Sequence, residues 1–157
     1  MKLIISGVPC CGKTHFGDWL RDVHGFAHAN LEGRQSHRSQ IHPPNITADL
    51  PNWLESIATN IVVTWSFPPN KTCIELITGF QAAGFTAWWF DADYAVARNR
   101  YIGREGLERT EEFFDPQIQK LTQATSSLKA LYLKRTVTTL TNEGFKPVEE
   151  IYTTVAT

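Results

Sequence analysis

Leu3-Ile4-Ile5-Ser6 runs straight into Gly7-Val8-Pro9-Cys10-Cys11-Gly12-Lys13-Thr14, and this stretch decides how the rest of the 157-residue chain is read. The first four residues form a short, almost wholly apolar run, as expected of a central strand covered on both faces. In the pattern Gly-x-x-x-x-Gly-Lys-Thr each fixed residue has a physical task. Successive backbone N–H groups along Gly7, Val8, Pro9, Cys10, Cys11, Gly12, Lys13 and Thr14 can surround phosphate oxygens, with Pro9 alone lacking a donor. Lys13 can reach the outer phosphates, and the Thr14 hydroxyl can coordinate magnesium. Gly7 and Gly12 permit tight backbone paths, while the first turn of the following helix adds unpaired donors and a dipole that favours an anion.

Outward from the loop the pattern changes period. Phe16, Trp19, Leu20 and Val23 recur at helical spacing, so a helix is expected over 13–23 with Gly25 as its terminator. A second short strand is expected over 26–31. The polar, His- and Arg-rich stretch 33–45 reads as an irregular segment that covers a site. Thr47 or Asp49 can cap a helix carrying Trp53, Leu54 and Ile57, and Ile61-Val62-Val63-Thr64-Trp65 reads as a strand that stops before Pro68-Pro69. A helix over 71–83, a strand over 85–90, helices over 92–104 and 111–133, and a last strand over 148–152 complete the pass. Alternating strands and helices predict one α/β domain over 1–157: three α/β/α layers around a mainly parallel five-stranded sheet.

Composition narrows the partners. Fifteen Lys and Arg against sixteen Asp and Glu leave no overall cationic surplus, so a nucleic-acid partner is not indicated. Cys10, Cys11 and Cys73 are neither a disulfide framework nor a zinc spacing, which fits a reducing, cytoplasmic location. No apolar run is long enough to cross a bilayer, and the first residues read as a strand rather than a signal peptide. Oligomeric state is not legible.

The loop resembles the Walker A loop of P-loop NTPases, and the layout of the chain looks like the small kinases of the nucleoside monophosphate, shikimate and gluconate kinase group. That resemblance implies ATP and Mg2+ as cofactors, phosphoryl transfer to a small-molecule acceptor, an acceptor site beside the nucleotide, and an arginine-bearing lid. On this reading 32–45 is the acceptor-side segment and 92–110 the lid. Arg98 and Arg104 resemble the first and last arginines of such a lid, with Arg100 between them, and guanidinium groups can clamp phosphate oxygens in two-pronged geometry. Arg98 is therefore expected at the nucleotide as well as in catalysis. Glu32, directly after the second strand, is the candidate to orient an acceptor hydroxyl and take its proton. Arg34, His37 and Arg38, with His42, would give the acceptor an anion-favouring surface. Asp91 is the candidate second metal ligand beside Thr14, because carboxylates at the carboxyl ends of parallel strands lie where such sites form.

The sequence departs from the group at one strand end. Phe67-Pro68 looks like the Phe-Pro of adenylate kinases, but Trp65-Ser66 stands where Asp-Gly is usual and Pro69 where an arginine is usual. This weakens the case for a nucleoside monophosphate acceptor. Two competing readings follow: a nucleotide-dependent switch or slow NTPase acting as an interaction module, and a kinase acting on polynucleotide 5′-hydroxyls, which would need only a local Arg cluster.

Overall fold

The computed structural model describes residues 1–32, 49–56, 58–66, 70–132 and 135–157. The apolar run before the loop lies in β1 (Lys2–Gly7), whose residues from Leu3 to Gly7 are all buried. Parallel neighbours flank it on both sides, β3 (Ile61–Ser66) and β4 (Thr86–Ala92). β2 (Ala27–Asn30) extends the sheet beyond β3, and β5 (Thr136–Thr141) extends it beyond β4, both in parallel. The order is β2-β3-β1-β4-β5-β6. The sheet is thus mixed and six-stranded, rather than five-stranded, because the two-residue β6 (Gly144–Phe145) folds back antiparallel on β5.

Helices cover both faces. α1 (Lys13–His24) begins inside the loop and ends at Gly25, whose φ of 68° lets its N–H reach back to the Arg21 carbonyl. α1 lies over β1, β2 and β3. On its side of the sheet stands α8 (Val148–Val155), joined to α1 by the Trp19 and Tyr152 rings at 5.5 Å and by His24 stacked on Tyr152 at 4.3 Å. Alternation along β4 marks the two faces: Phe90 packs on Phe16 of α1, whereas Trp89 packs on Tyr132 of the opposite layer. That opposite layer contains α3 (Lys71–Ala82), capped by the Asn70 side chain, and α7 (Thr125–Leu131). The short α2 (Leu50–Glu55) buries Leu50 and Leu54.

After β4 the chain forms α4 (Tyr94–Glu105), the single turn α5 (Leu107–Arg109), a π-helical turn over Thr110–Phe114, and α6 (Asp115–Gln123). Asp93 caps α4, its side chain accepting from the N–H groups of Ala95 and Val96.

One expectation is overturned. Residues 148–152, rich in β-formers, belong to α8 and not to a last strand: Pro147 precedes it, Glu149 and Glu150 sit in its first turn, and Ile151 and Val155 bury one face at i, i+4 spacing. The strand in this region is β5.

α1 sits unusually close to β2. A Cβ on Gly17 would overlap the His28 imidazole. His28 is fully buried, with Nδ1 3.1 Å from Asp18 Oδ1 and Nε2 2.9 Å from the Thr64 hydroxyl oxygen. Because an ionised carboxylate only accepts, Nδ1 donates to Asp18 and Nε2 accepts from Thr64, which is the neutral ring. Burial pushes the imidazole pKa down, although the hydrogen bond to Asp18 opposes it. Arg21 Nη1 meets the same Asp18 oxygen at 2.7 Å.

Candidate phosphate-binding site

The turn out of β1 depends on close backbone contact. A Cβ on Gly7 would overlap the Phe90 carbonyl oxygen, the group that accepts the Val8 N–H at 3.1 Å. Cys11 N–H donates to Val8 O at 3.3 Å, and the Thr139 hydroxyl on β5 lies 2.7 Å from the Cys11 carbonyl and 3.1 Å from that of Asp91. Cys10 (φ 64°) and Gly12 (φ 91°) take left-handed conformations, so the loop curls back on itself before α1 starts. Val8, Pro9 and Cys11 point into the protein and are buried.

Lys13 is 4% exposed. Its Nζ lies 3.1 Å from Val8 O, 3.4 Å from Gly7 O and 3.5 Å from Glu32 Oε1. Burial opposes the ammonium charge, the Glu32 carboxylate favours it, and the pKa is raised. The lysine is therefore charged at neutral pH. Burial pushes the Cys10 and Cys11 thiols up, with Arg104 and Lys13 pulling Cys10 the other way, so neither thiol gains thiolate character from the helix start.

Cys10, Gly12, Lys13, Thr14, His15, Glu32, Arg100, Arg104 and Phe145 line a pocket of about 330 Å3. Six expected residues thus share one space: Cys10, Gly12, Lys13, Thr14, Glu32 and Arg104. The helix decides which arginines join them. Arg100 and Arg104 are one turn apart and lie on the same face of α4, whereas Arg98 is two residues from Arg100 and points elsewhere. Arg98 Nε and Nη2 grip Asp115 at 2.8 and 2.7 Å, outside the pocket, and this bond holds the Asp115 carboxyl below its usual range. Among the described residues the pocket arginines are Arg100 and Arg104, in place of the expected Arg98 and Arg104.

Phe145 completes the wall and was not singled out from sequence. It follows the turn into β6, and its ring would lie 3.2 Å from a Cβ on Gly12. The Arg100 guanidinium stacks over this ring at 4.4 Å, and the Arg104 guanidinium lies 5.1 Å from the Tyr101 ring. An aromatic residue just beyond a Gly-containing turn was the available signal.

Asp91 lies elsewhere. It shares the Trp89 face of β4, and the two line a separate pocket of about 80 Å3 with Tyr94, Leu121, Thr125, Leu128 and Thr136. Strand alternation is the reason: Asp91 and Phe90 point to opposite sides of the sheet. Arg34, His37, Arg38 and His42 lie outside the described residues, as does Phe67-Pro68-Pro69. Among the described residues no group of three His, Cys, Asp or Glu side chains has metal-ligand spacing, and no helix is long and apolar enough to cross a membrane.

No family model matches the chain, and no curated protein matches it by sequence. Solved structures are similar in fold. A gluconokinase from Sinorhizobium meliloti 1021 aligns with TM-score 0.56 at 17% identity, over 98% of this chain and 87% of that one. The tunicamycin resistance protein of Deinococcus radiodurans aligns with TM-score 0.59 at 20% identity, over 99% and 96%. The chain shares its fold with these structures, and a Walker A-like loop stands at the end of its central strand.

Proposed function

We propose that this chain transfers a phosphoryl group from ATP to a small-molecule acceptor. The observation that carries the reading is the convergence of Lys13, Arg100 and Arg104 on one pocket that also holds Thr14 and the Glu32 carboxylate. A triphosphate fits this donor set: a loop whose backbone can approach closely, a helix start, and three cations. The Thr14 hydroxyl is the group suited to hold magnesium, which would supply Lewis-acid neutralisation of charge on the transferring group.

Lys13 would exchange its contacts with the Gly7 and Val8 carbonyls for phosphate oxygens. Arg100 and Arg104, exposed enough to swing inward, would neutralise charge that develops during in-line transfer and help exclude water that would otherwise hydrolyse ATP. Freed from Lys13, Glu32 would orient the acceptor hydroxyl and accept its proton. The acceptor side is the segment beginning at Glu32, with Arg34, His37 and Arg38 as its anion-favouring groups. Arg98 contributes by anchoring α4 to Asp115, so it is a positioning residue.

The test is magnesium-dependent release of ADP from ATP, with and without pools of nucleosides, nucleotides, sugars and small acids, and with Lys13→Ala as the control. Acceptor-stimulated turnover that Lys13→Ala loses supports the kinase reading and names the acceptor class. Nucleotide binding that no pool converts into turnover would favour a slow NTPase or nucleotide-dependent interaction module. The Trp65-Ser66 end of β3, which lacks an acid, suits that second reading.

A further inference from the structure

The Asp91 pocket is unrelated to phosphate transfer, and its lining has its own chemistry. Among the described residues two aromatic side chains, Trp89 and Tyr94, line it together with the Asp91 carboxylate, the apolar Leu121 and Leu128, and Thr125 and Thr136. The Asp91 carboxylate has one hydrogen bond among the described residues: Oδ1 accepts the Ala92 N–H at 3.0 Å. The other carboxylate oxygen, Oδ2, has no hydrogen bond among the described residues, and two aromatic side chains share the pocket with it. Burial raises the Tyr94 phenol pKa, and the Asp91 charge raises it further, so at neutral pH the tyrosine adds an uncharged ring and not a second anion.

The geometry points to a binding site for a small organic ammonium group, with Asp91 as counter-ion and Trp89 and Tyr94 as its aromatic walls. A carboxylate supplies charge, and aromatic faces attract a cation through their quadrupoles while tolerating attached methyl groups. An inorganic cation would gain nothing from the two leucines. A cavity of about 80 Å3 has room for a head group of a few heavy atoms. The site does not depend on the kinase reading.

The experiment is a titration of the full 15N-labelled chain with methylammonium chloride and, separately, tetramethylammonium chloride, against sodium chloride at matched ionic strength. Saturable shifts in the millimolar range are expected at the amides of Asp91, Ala92, Tyr94 and Thr136. Preference for methylammonium identifies a primary amine, and preference for tetramethylammonium a quaternary head. Asp91→Asn should bind at least about tenfold more weakly, because its amide oxygen can keep the Ala92 bond while the charge is lost. Tyr94→Ala, on the partly exposed first turn of α4, should weaken binding several-fold while distant resonances stay in place. Equal shifts with sodium chloride, undiminished binding by Asp91→Asn, or shifts centred on Lys13 and Thr14 would each overturn the assignment.

Discussion

The phosphate loop and the arm that faces it hold their cations in contrasting ways. In the loop, Lys13 is buried, its ammonium meets two main-chain carbonyls and a carboxylate, and Thr139 ties the Cys11 carbonyl to β5. On α4, the Arg104 side chain is about half exposed and is held by Glu105 and the Tyr101 ring, while Arg100 rests on Phe145. Exposed pairs of this kind contribute little to stability. Lys13 is thus held by buried partners and the α4 arginines by exposed contacts that cost little to break, and the proposed function would use the first as a rigid wall and the second as one that closes.

Removing Lys13 should have the largest effect. Lys13→Ala is expected to cost about 10^3-fold in acceptor-dependent ADP release, the scale of losing a preorganised charge at a reacting group. Loss of less than tenfold would break the contrast, since the rigid wall would then be dispensable. Next comes the loop's geometry: in Gly7→Ala the new methyl meets the Phe90 carbonyl, and about 3 kcal/mol should be lost. Thermal unfolding should show a fall of roughly 6–12 °C in Tm.

On the arm, Arg100→Ala and Arg104→Ala should each lower turnover by about 10^2-fold with Tm shifts too small to resolve. A large Tm loss in either variant would mean that the arm is structural. The His28 network under α1 gives a smaller, pH-dependent effect. Above pH 6.5 the ring is neutral folded and unfolded; as pH falls below that value the unfolded chain takes up a proton that the buried ring refuses. Stability should therefore drop by up to about 1.4 kcal/mol per pH unit until the lowered folded pKa is reached. Denaturant midpoints between pH 7 and 5 should show this slope, and His28→Gln should flatten it. The smallest effect belongs to Arg98→Ala, about threefold on kcat with nucleotide KM unchanged, partly rescued by Arg98→Lys, as expected of a positioning residue.

What could be read from sequence follows the same division. The loop was legible because its function resides in consecutive backbone groups, so spacing along the chain is spacing in the site. The strands 61–65 and 85–90 were legible as apolar runs. Thr136-Val137-Thr138-Thr139-Leu140-Thr141 was not, since β5 lies near the sheet edge and carries threonines where central strands carry valine and isoleucine. The arginines at 98, 100 and 104 were found, but Arg98 was chosen over Arg100, because only the phase of α4 against the loop separates the two. Asp91 failed for the analogous reason in a strand: position along β4 was readable, and the face it presents was not.

The contact between Gly17 and the His28 ring reaches beyond this molecule into its descent. Neither position can drift alone, since any side chain at 17 collides with an imidazole at 28, and replacing the imidazole strands Asp18 and Thr64. Relatives that keep the glycine should keep the histidine, and lineages that lost one should show a paired replacement at the other.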